Sequence, residues 1–425
     1  MDYKDQITAF VNYFKEAEVH KEKYKIGVEF EHFILHQDLS AVSYYEVQGV
    51  ESLLWEIKNS DKWEPKINWK PKFEKDHLVG LENSELIITL EPGAQLEVSI
   101  KPADSLKIIQ NIYKDFLENI KAILNKRKQL IAVLGYQPKT SVSDIKLLPK
   151  KRYDYMYDYF TDKGKYAYNM MKGTASVHMN IDYVDEEDYI KKLRSAYFLT
   201  PIIYYLFDNT PYFEGRKTDQ ASMREKIWSN CDKQRSTVIK GVFDKTFGYR
   251  DYAEYLLNTE PIIAKNNGQF IYSKSKKLKE VMEKAEKRHI EHYLSMVFPD
   301  VRSKKYIEIR AADGLPYPYN LGYLSLLKGL LYNQDNLDII YNKSLKYNQE
   351  QFLKSRHDII NKLNNNKREN LIEELILMAD NALTKNKKYL EYVKEIYFQH
   401  QKAKFKTLKS SADNRKDALS WCILN

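Results

Sequence analysis

Four stretches of this sequence alternate polar and apolar residues with a period of two. They span residues 26–35, 86–100, 174–182 and 305–310. Because successive side chains of a β-strand point to opposite faces, each stretch predicts a strand with one apolar face and one polar face. If the four strands are neighbours, their polar side chains lie on one face of one sheet.

The first strand places Glu29 and Glu31 on one face and Val28 and Phe30 on the other. Two carboxylates so close together repel each other unless a cation, a proton or solvent neutralises them. The pattern therefore suggests a magnesium site. An ordinary half-exposed strand with solvated glutamates is the alternative, since many amphipathic strands have this pattern.

The second stretch is divided by Pro92 and Gly93, which predict a sharp turn between two strand segments. Glu91 lies at the turn, where a reversal of the backbone can aim its side chain toward a site. Glu97 shares the polar face of the second segment with Ser99. A solvent-facing hairpin is the alternative.

The third and fourth strands add a histidine, a carboxylate and a guanidinium. His178 lies on the polar face of the third strand, where it could complete a magnesium shell or contact a substrate. A lone strand histidine is more often a structural hydrogen-bonding group. Glu308 and Arg310 share a face of the fourth strand. They could pair with each other, or they could bind a metal and a phosphate.

Together these strands would supply an oxygen-rich cluster. Its members are Glu29, Glu31, Glu91, Glu97 and Glu308, with His178. Hard oxygen ligands in this number favour magnesium, often two or more ions, over zinc or copper. The sequence contains no Walker phosphate loop, dinucleotide fingerprint or nucleophile elbow. Nucleotide binding would then depend on magnesium and on basic side chains.

Three arginines outside these strands are candidates for binding anions. Arg152 ends a run of three cations, and its planar fork suits a phosphate or a carboxylate. Arg224 and Arg235 lie among hydrogen-bonding residues between 209 and 251, a stretch without clear periodicity. A solvated basic loop is the alternative for the first, and surface salt bridges are the alternative for the other two.

Helical periodicity accounts for much of the remaining chain. Apolar stripes predict helices over residues 4–20, from Asp104 onward and over 186–207, where Pro201 would produce a kink. A short helix is expected at 52–58, a turn at 266–269, and a charged helix at 274–288. The lysine-rich residues 336–425 predict a helical cover without assigned chemistry.

The composition limits the classes of protein to consider. A chain of 425 residues with 43% hydrophobic residues can bury a large core. Its net charge of +9 fits anionic small substrates and gives only weak support to nucleic-acid binding. Only two cysteines occur, and no apolar run reaches the length of a membrane span. We expect a soluble, cytoplasmic protein.

The ordered set of motifs resembles the plant-type glutamate-cysteine ligases, which also occur in bacteria. The matching strings are Ile26-Gly27-Val28-Glu29-Phe30-Glu31, Leu90-Glu91-Pro92-Gly93-Ala94-Gln95-Leu96-Glu97, Pro149-Lys150-Lys151-Arg152-Tyr153, Ser222-Met223-Arg224, Asp232-Lys233-Gln234-Arg235 and Tyr306-Ile307-Glu308-Ile309-Arg310-Ala311-Ala312-Asp313-Gly314. The resemblance implies an α+β fold, a glutamine-synthetase-like antiparallel sheet with flanking helices. We assign residues 1–335 to the catalytic domain and 336–425 to a helical extension packed on it.

The resemblance also implies a reaction. ATP would phosphorylate the side-chain carboxylate of glutamate, and the amine of cysteine would attack the acyl phosphate, the first step of glutathione biosynthesis. The five glutamates and His178 would hold Mg²⁺. Arg235, with Arg224 as second choice, would hold the α-carboxylate of the substrate, and Arg310 or Arg152 would face the phosphates. Arg310 and Arg235 are the residues expected to be catalytic.

Two alternatives remain beside this reaction. One is a related ligase that joins glutamate to another amine. The other is a non-catalytic protein that binds nucleotides or nucleic acid through its basic surface, against which five retained carboxylates argue. We expect small-molecule partners, no nucleic acid and no membrane, and a monomer or homodimer. Cys231 and Cys422 give no basis for the regulatory cysteine pairs of the plant enzymes.

Overall fold

A computed structural model of the chain describes residues 1–60, 68–266, 269–272, 275–361, 365–401 and 419–424. Its strands, in chain order, are β1 (Ile26–His36), β2 (Lys70–Glu74), β3 (His77–Glu82), β4 (Leu86–Leu90), β5 (Leu96–Ala103), β6 (Gln129–Ala132), β7 (Ser176–Ile181), β8 (Tyr212–Phe213), β9 (Arg216–Lys217), β10 (Ser236–Thr237), β11 (Ile263–Asn266), β12 (Gln269–Tyr272), β13 (Phe298–Pro299), β14 (Val301–Ser303) and β15 (Ile307–Asp313). Its α-helices are α1 (Tyr3–Lys15), α2 (Val50–Asn59), α3 (Leu106–Arg127), α4 (Lys151–Tyr159), α5 (Ala167–Gly173), α6 (Glu186–Leu206), α7 (Met223–Ser229), α8 (Tyr249–Asn258), α9 (Leu278–Val281), α10 (Lys287–Leu294), α11 (Tyr319–Leu331), α12 (Gln334–Ser344), α13 (Gln349–Ile360), α14 (Asn365–Ala382) and α15 (Lys387–Gln401).

Within the described residues the main sheet has nine strands, in the order β14-β15-β7-β1-β5-β4-β3-β2, with β6 paired to the far end of β1. Every pairing within it is antiparallel. The central strand β1 places Glu29 opposite His178 of β7 and Glu31 opposite Glu97 of β5. Because side chains alternate, a shift of one residue would send these groups to the other face. The register therefore brings the polar side chains of β1, β5 and β7 together.

Helix α3 covers the apolar face of β1. Its N-cap is Ser105, whose side chain accepts a hydrogen bond from the main-chain nitrogen of Lys107 at 3.1 Å. Its buried stripe includes Tyr113, whose ring centroid lies 4.4 Å from that of Phe30. Helix α6 runs beside β14 and β15, and Tyr197 of α6 donates to the main-chain oxygen of Val301 at 2.8 Å. These contacts form the core on that side of the sheet.

Helices α4, α5 and α7 and the short parallel pair β10 and β13 cover the polar face of the sheet. The turn between β4 and β5 approaches α5 closely. A Cβ atom at Gly93 would lie 2.2 Å from the main-chain oxygen of Lys172, so only glycine fits there. The neighbouring Ala94 has a positive φ of 65°, and its nitrogen donates to the oxygen of Glu91 at 2.8 Å. The predicted sharp turn is confirmed.

The C-terminal helices pack on the outside of this arrangement. Arg194 of α6 donates to Ser344 at the end of α12 at 2.9 Å, and Asn336 of α12 donates to the main-chain oxygen of Met378 in α14 at 2.9 Å. The last described segment, residues 419–424, pairs with β6, since the nitrogen of Leu424 donates to the oxygen of Ile131 at 2.9 Å. The division at residues 335 and 336 stays a prediction.

The structure corrects several predicted elements. The first helix ends at Lys15 and does not reach residue 20. The basic run, for which a solvated loop was the alternative to an anion site, forms the start of α4, in which Tyr153 and Met156 are buried three residues apart on one helical face. The segment 209–251 contains α7 and begins α8. Two shorter helices, α9 and α10, overlap and follow the region predicted as one helix over 274–288.

Parts of three predictions lie outside the described residues: the centre of the turn at 266–269, the first residue of the helix at 274–288, and residues 362–364, 402–418 and 425 of the helical cover at 336–425. Helix α6 contains Pro201 in its interior and continues to Leu206. None of the helices in the described part of the chain combines the length and the apolar character that crossing a membrane requires.

Candidate active site

A cavity of about 360 Å³ lies between the polar face of the sheet and the cover formed by α4, α5 and α7. We call it the central cavity. Its floor comes from β1, β4, β5, β7, β14 and β15, and its roof comes from the covering helices and from Ser295 and Phe298. The charged residues that line it are Glu29, Glu31, Glu91, Glu97, Lys150, Arg152, Arg224, Arg302 and Arg310, together with His178. The cavity thus has an acidic wall and a basic wall.

The acidic wall is largely sequestered from solvent. The side chains of Glu29 and Glu31 are 15% and 9% exposed. Glu97 accepts hydrogen bonds from Thr89 at 2.8 Å and from Ser99 at 3.1 Å. The alternative of solvated glutamates on a half-exposed strand therefore does not describe these residues.

His178 connects the two glutamates of β1. Its Nδ1 lies 2.8 Å from Oε2 of Glu29, and its Nε2 lies 2.7 Å from the hydroxyl of Ser176. That hydroxyl is 3.0 Å from Oε2 of Glu31, and Asn180 donates to Oε1 of Glu29 at 3.3 Å. The chain Glu29, His178, Ser176 and Glu31 forms a continuous hydrogen-bonded row along the floor.

The pKa values of the row diverge. Burial, together with the charge of Glu91, raises the pKa of Glu31 to about 8. Burial and the charges of Glu29, Glu91 and Glu31 raise the pKa of Glu97 well above its usual value. Burial and then the charge of Arg310 lower the pKa of His178 to about 4. Burial and the neighbouring carboxylates thus favour the protonated forms of Glu31 and Glu97, whereas burial favours the neutral imidazole of His178.

Glu29 behaves differently. Burial and the charge of Glu308 oppose its ionisation, but the hydrogen bond from His178 and the charge of Lys304 outweigh them, and its pKa falls to about 2. The hydroxyl of Ser176 donates to Oε2 of Glu31, which favours the charged form of that carboxyl and partly offsets the effect of burial on its pKa. Nδ1 and Nε2 of His178 lie within hydrogen-bonding distance of Glu29 and Ser176.

Glu308 is fully buried behind the floor and does not line the central cavity. Its carboxylate accepts from Arg302 at 2.6 Å, from Lys304 at 2.9 Å and from Arg310 at 3.1 Å. Burial opposes its ionisation, but these cations hold its pKa well below the usual range. Glu308 and Arg310 thus pair with each other, which was the first of the two possibilities that the sequence left open.

One cluster of the described residues could nevertheless hold a metal ion. Glu29, His178 and Glu308 each offer a ligand atom, and these atoms lie within 4.8 Å of one another. Glu31, Glu91 and Glu97 line the same cavity beside them. The predicted ligands are therefore brought together by the register of four neighbouring strands.

The basic wall contains three of the four predicted arginines. Arg152 donates to the hydroxyl of Ser295 at 2.9 Å, and Arg224 donates to the main-chain oxygen of Arg310 at 2.8 Å. The Nε of Arg224 is buried and has no hydrogen-bond partner among the described residues, so it has a donor available for a ligand. Its neighbour Arg310 completes the wall.

Arg235, the fourth predicted arginine, does not line the central cavity. It is 1% exposed, and its Nε lies 2.6 Å from Asp232. Its other nitrogens donate to the hydroxyl of Tyr159 and to the main-chain oxygens of Met296 and Glu260. The physical reason is the carboxylate three residues earlier, which pairs with this guanidinium and holds it behind the wall.

Sequence reasoning missed Arg302 and Trp228. Arg302 reaches the site because β14 pairs with β15 and places it opposite Glu308, a relation that no local pattern reveals. Trp228 is four residues after Arg224 on α7, and a spacing of four on a helix could have indicated their shared face. The guanidinium carbons of Arg224 and Arg310 each lie 5.7 Å from its ring centroid.

With this geometry established, comparisons with known proteins identify the family. The sequence profile of glutamate-cysteine ligase family 2 matches residues 25–403. The chain belongs to this family. The family predicted from the ordered motifs is thereby confirmed.

Two curated relatives show the extent of the similarity. The chloroplastic glutamate-cysteine ligase of Brassica juncea is 31% identical over 329 residues, which cover 75% of this chain and 62% of the relative. The chloroplastic glutamate-cysteine ligase B of Oryza sativa subsp. japonica is 30% identical over 341 residues, covering 78% of this chain and 67% of the relative. The chain thus spans a little over three fifths of the length of the Brassica protein.

A solved structure supports the fold. The crystal structure of a glutamate-cysteine ligase from Francisella tularensis, in complex with AMP, superposes with a TM-score of 0.52 at 14% identity. The superposition covers 94% of this chain and 87% of that chain. The predicted class, an α+β fold built on an antiparallel sheet with flanking helices, is confirmed.

The expected cytoplasmic location is wrong in the light of these relatives, because their names place them in the chloroplast. The expectation depended mainly on the small number of cysteines. That number reflects the redox state of a compartment and does not identify which reducing compartment holds the protein.

Proposed function

We propose that this family member is an ATP-dependent ligase that joins the side-chain carboxylate of glutamate to the amine of cysteine. The observation that carries the proposal is the central cavity itself, where four carboxylates and a histidine face four arginines. Chemistry at phosphates needs charge neutralisation and alignment more than it needs a protein nucleophile, and these two walls suit both requirements.

We propose Mg²⁺ as the ion of the acidic wall. The donors are mostly carboxylate oxygens, which this hard cation prefers, and the cluster of Glu29, His178 and Glu308 is close enough to share an ion. The raised pKa values of Glu31 and Glu97 point the same way, because crowded buried carboxyl groups take up protons when no cation compensates their charge. When bound, the ion would neutralise phosphate charge.

The basic wall would bind and orient the anionic substrates. We assign the α-carboxylate of glutamate to Arg224 in preference to Arg235, because Nε of Arg224 has no partner among the described residues while Arg235 is held by Asp232. Arg152 and Arg310 would face the phosphates of ATP. Arg235 would then maintain the loop after α7 and act on the site only indirectly.

The reaction has two steps. A γ-carboxylate oxygen of glutamate attacks the γ-phosphorus of ATP, the bond to the bridging oxygen breaks, and ADP leaves with that oxygen. The nitrogen of the amine then attacks the acyl carbon, phosphate leaves, and the nitrogen loses a proton as the amide forms. Enclosure between the two walls would exclude water, which otherwise hydrolyses an acyl phosphate.

Cysteine is proposed as the acceptor because the curated relatives are named glutamate-cysteine ligases. The test is to incubate the purified chain with ATP, Mg²⁺, glutamate and a panel of amines, and to follow phosphate release and product mass. We expect release that requires glutamate and is greatest with cysteine. If release is greatest with a different amine, that amine replaces cysteine as the proposed acceptor. No release with any amine would refute the ligase proposal.

A further inference from the structure

A buried arginine lies in the helical region to which the sequence assigned no chemistry. Arg356 is in α13, four residues after Phe352 and four before Ile360, and all three side chains are buried. It therefore occupies the middle of the apolar stripe of its helix and is 5% exposed. A charge at such a position requires partners, because an unpaired buried guanidinium is strongly destabilising.

Its partners are two carboxylates from distant parts of the chain. Nη1 of Arg356 lies 2.5 Å from Asp300, and Nη2 lies 3.2 Å from Glu225. The guanidinium carbon is 4.9 Å from the ring centroid of Tyr204, which donates to the other oxygen of Asp300 at 2.7 Å. Arg356, which lies on α13 outside the predicted catalytic domain, thus connects α6, α7 and the turn between β13 and β14.

Both carboxylates lie directly behind the basic wall. Glu225 follows Arg224 on α7, and Asp300 stands between β13 and β14, two residues before Arg302. The main-chain oxygen of Asp300 accepts from the nitrogen of Arg310 at 2.9 Å. The position of α7 relative to β14 and β15 therefore sets the distance of Arg224 from Arg302 and Arg310 in the cavity wall.

We propose that Arg356 is a positioning residue for the basic wall, an inference that rests on the proposed function. It ties α7 to the turn between β13 and β14, and so holds Arg224 at the distance from Arg310 that their 2.8 Å hydrogen bond requires. Helix α13 is then coupled to the site through this one side chain.

The chain offers a matched control in Arg368 of α14. Arg368 is 3% exposed and also stacks on a tyrosine of α6, with 3.9 Å between its guanidinium carbon and the ring of Tyr205. Its carboxylate partner is Glu369 at 2.9 Å, and it also donates to the main-chain oxygen of Ile359. Neither of these two groups lines the central cavity. Replacing it removes a buried guanidinium that is paired with a partly buried carboxylate, without touching α7 or β14.

The kinetic test compares Arg356→Met, Arg356→Lys and Arg368→Met in the full chain, well below the melting temperature of each. We expect Arg356→Met to lower kcat/KM at least about tenfold, because small displacements of binding groups have large kinetic effects. The KM for glutamate should rise while the KM for the amine stays near that of the parent. Arg356→Lys should restore part of the loss, and Arg368→Met should leave both constants near the parent values.

A second measurement does not depend on the proposed activity. The contribution of Trp228 to fluorescence is obtained as the difference between each protein and its Trp228→Phe counterpart. Arg356→Met should change this difference spectrum, since two wall arginines lie 5.7 Å from that ring. Arg368→Met should not. If the two Met variants behave alike in fluorescence, the positioning role is overturned even where the parent is active. If the parent is inactive but the spectra differ as expected, the proposed function fails and the structural coupling stands.

Discussion

The two faces of β1 carry two buried histidine environments that look alike by simple measures and differ in chemistry. His32 lies in β1 on the face covered by α3, and His178 lies opposite Glu29 on the cavity face. They are 0% and 3% exposed, and burial lowers the pKa of each to about 4. Depth and pKa therefore do not distinguish them.

Their partners do. His32 donates from Nδ1 to the main-chain oxygen of Leu96 at 3.0 Å and accepts at Nε2 from the hydroxyl of Tyr113 at 2.7 Å. Both interactions are neutral, and both nitrogens are satisfied. His178 instead lies next to the carboxylate of Glu29 on one side and next to Ser176, which bonds to Glu31, on the other. A histidine on the packed face contributes to stability, whereas one on the cavity face shares its neighbours with carboxylates that can exchange protons for a cation.

Phe30→Ala should show the largest difference between the two faces, because it should reduce stability and leave turnover nearly unchanged. Phe30 is 1% exposed and packs against Tyr113 of α3, so truncation should leave a cavity in the core. We expect a loss of about 3–5 kcal/mol in the free energy of unfolding. Urea unfolding measures it, and turnover per folded molecule should change little. A large kinetic defect in the folded variant would contradict the assignment of stability to the packed face and of activity to the cavity face.

Glu29→Gln tests the opposite face. Removing the charge should lower turnover about a hundredfold or more, because an amide is a poor ligand for Mg²⁺ and the wall loses a carboxylate whose pKa is lowered to about 2. The melting temperature should stay close to that of the parent. Phosphate release across Mg²⁺ concentrations is the measurement, with Glu82→Gln on β3, where Glu82 pairs with Lys72 on the surface, as control. Near-normal activity at every Mg²⁺ concentration would remove Glu29 from the ligand set.

The pH dependence of stability should show the titration of His32 on the packed face. Because the folded-state pKa of His32 lies below its unfolded value of about 6.5, the unfolded state binds more protons. The stability due to neutral His32 is full above pH 6.5 and falls as the pH decreases toward 4. Between pH 7.5 and pH 5 the parent should lose about 2 kcal/mol more than His32→Gln, as measured by urea unfolding. Parallel losses would show that His32 does not titrate as inferred.

The smallest expected effect concerns one hydrogen bond to the acidic wall. Thr89→Val removes the donor that lies 2.8 Å from Glu97 and keeps the shape of the side chain. A single such bond contributes about 1 kcal/mol, so the Mg²⁺ concentration for half-maximal activity should shift between about threefold and tenfold. Thr8→Val on the exposed face of α1 is the control. An unchanged Mg²⁺ requirement would place Glu97 outside the metal shell.

The polar residues of the strands were predictable because their period is local. Glu29, Glu31 and Glu97 could be assigned to polar faces from alternation alone, and the turn at Gly93 followed from its composition. Arg152 could be chosen for its chemistry, but its place on a helix was missed because a run of cations obscured the spacing of Tyr153 and Met156. The ordered motifs indicated the family, whose profile then matched residues 25–403.

Other parts of the site required the folded chain. Arg235 looked as suitable as Arg224 in sequence, and only the structure shows that Asp232 holds it behind the wall. Arg302 and Arg356 had no distinguishing local signal, since their partners Glu308 and Asp300 are meaningful only once strands and helices are in place. Pairing between distant residues depends on where the backbone brings them, which a short window of sequence does not contain.

The sequence by itself determined which side chains share a strand face, because alternation is a property of the extended backbone. It also determined which chemical groups are available to the site, namely carboxylates, a histidine and arginines. The tertiary structure alone decided which of these groups meet and which are sequestered. It did so because register and packing set distances and burial, and these quantities control the pKa values, the free donors and the residues that can reach a ligand.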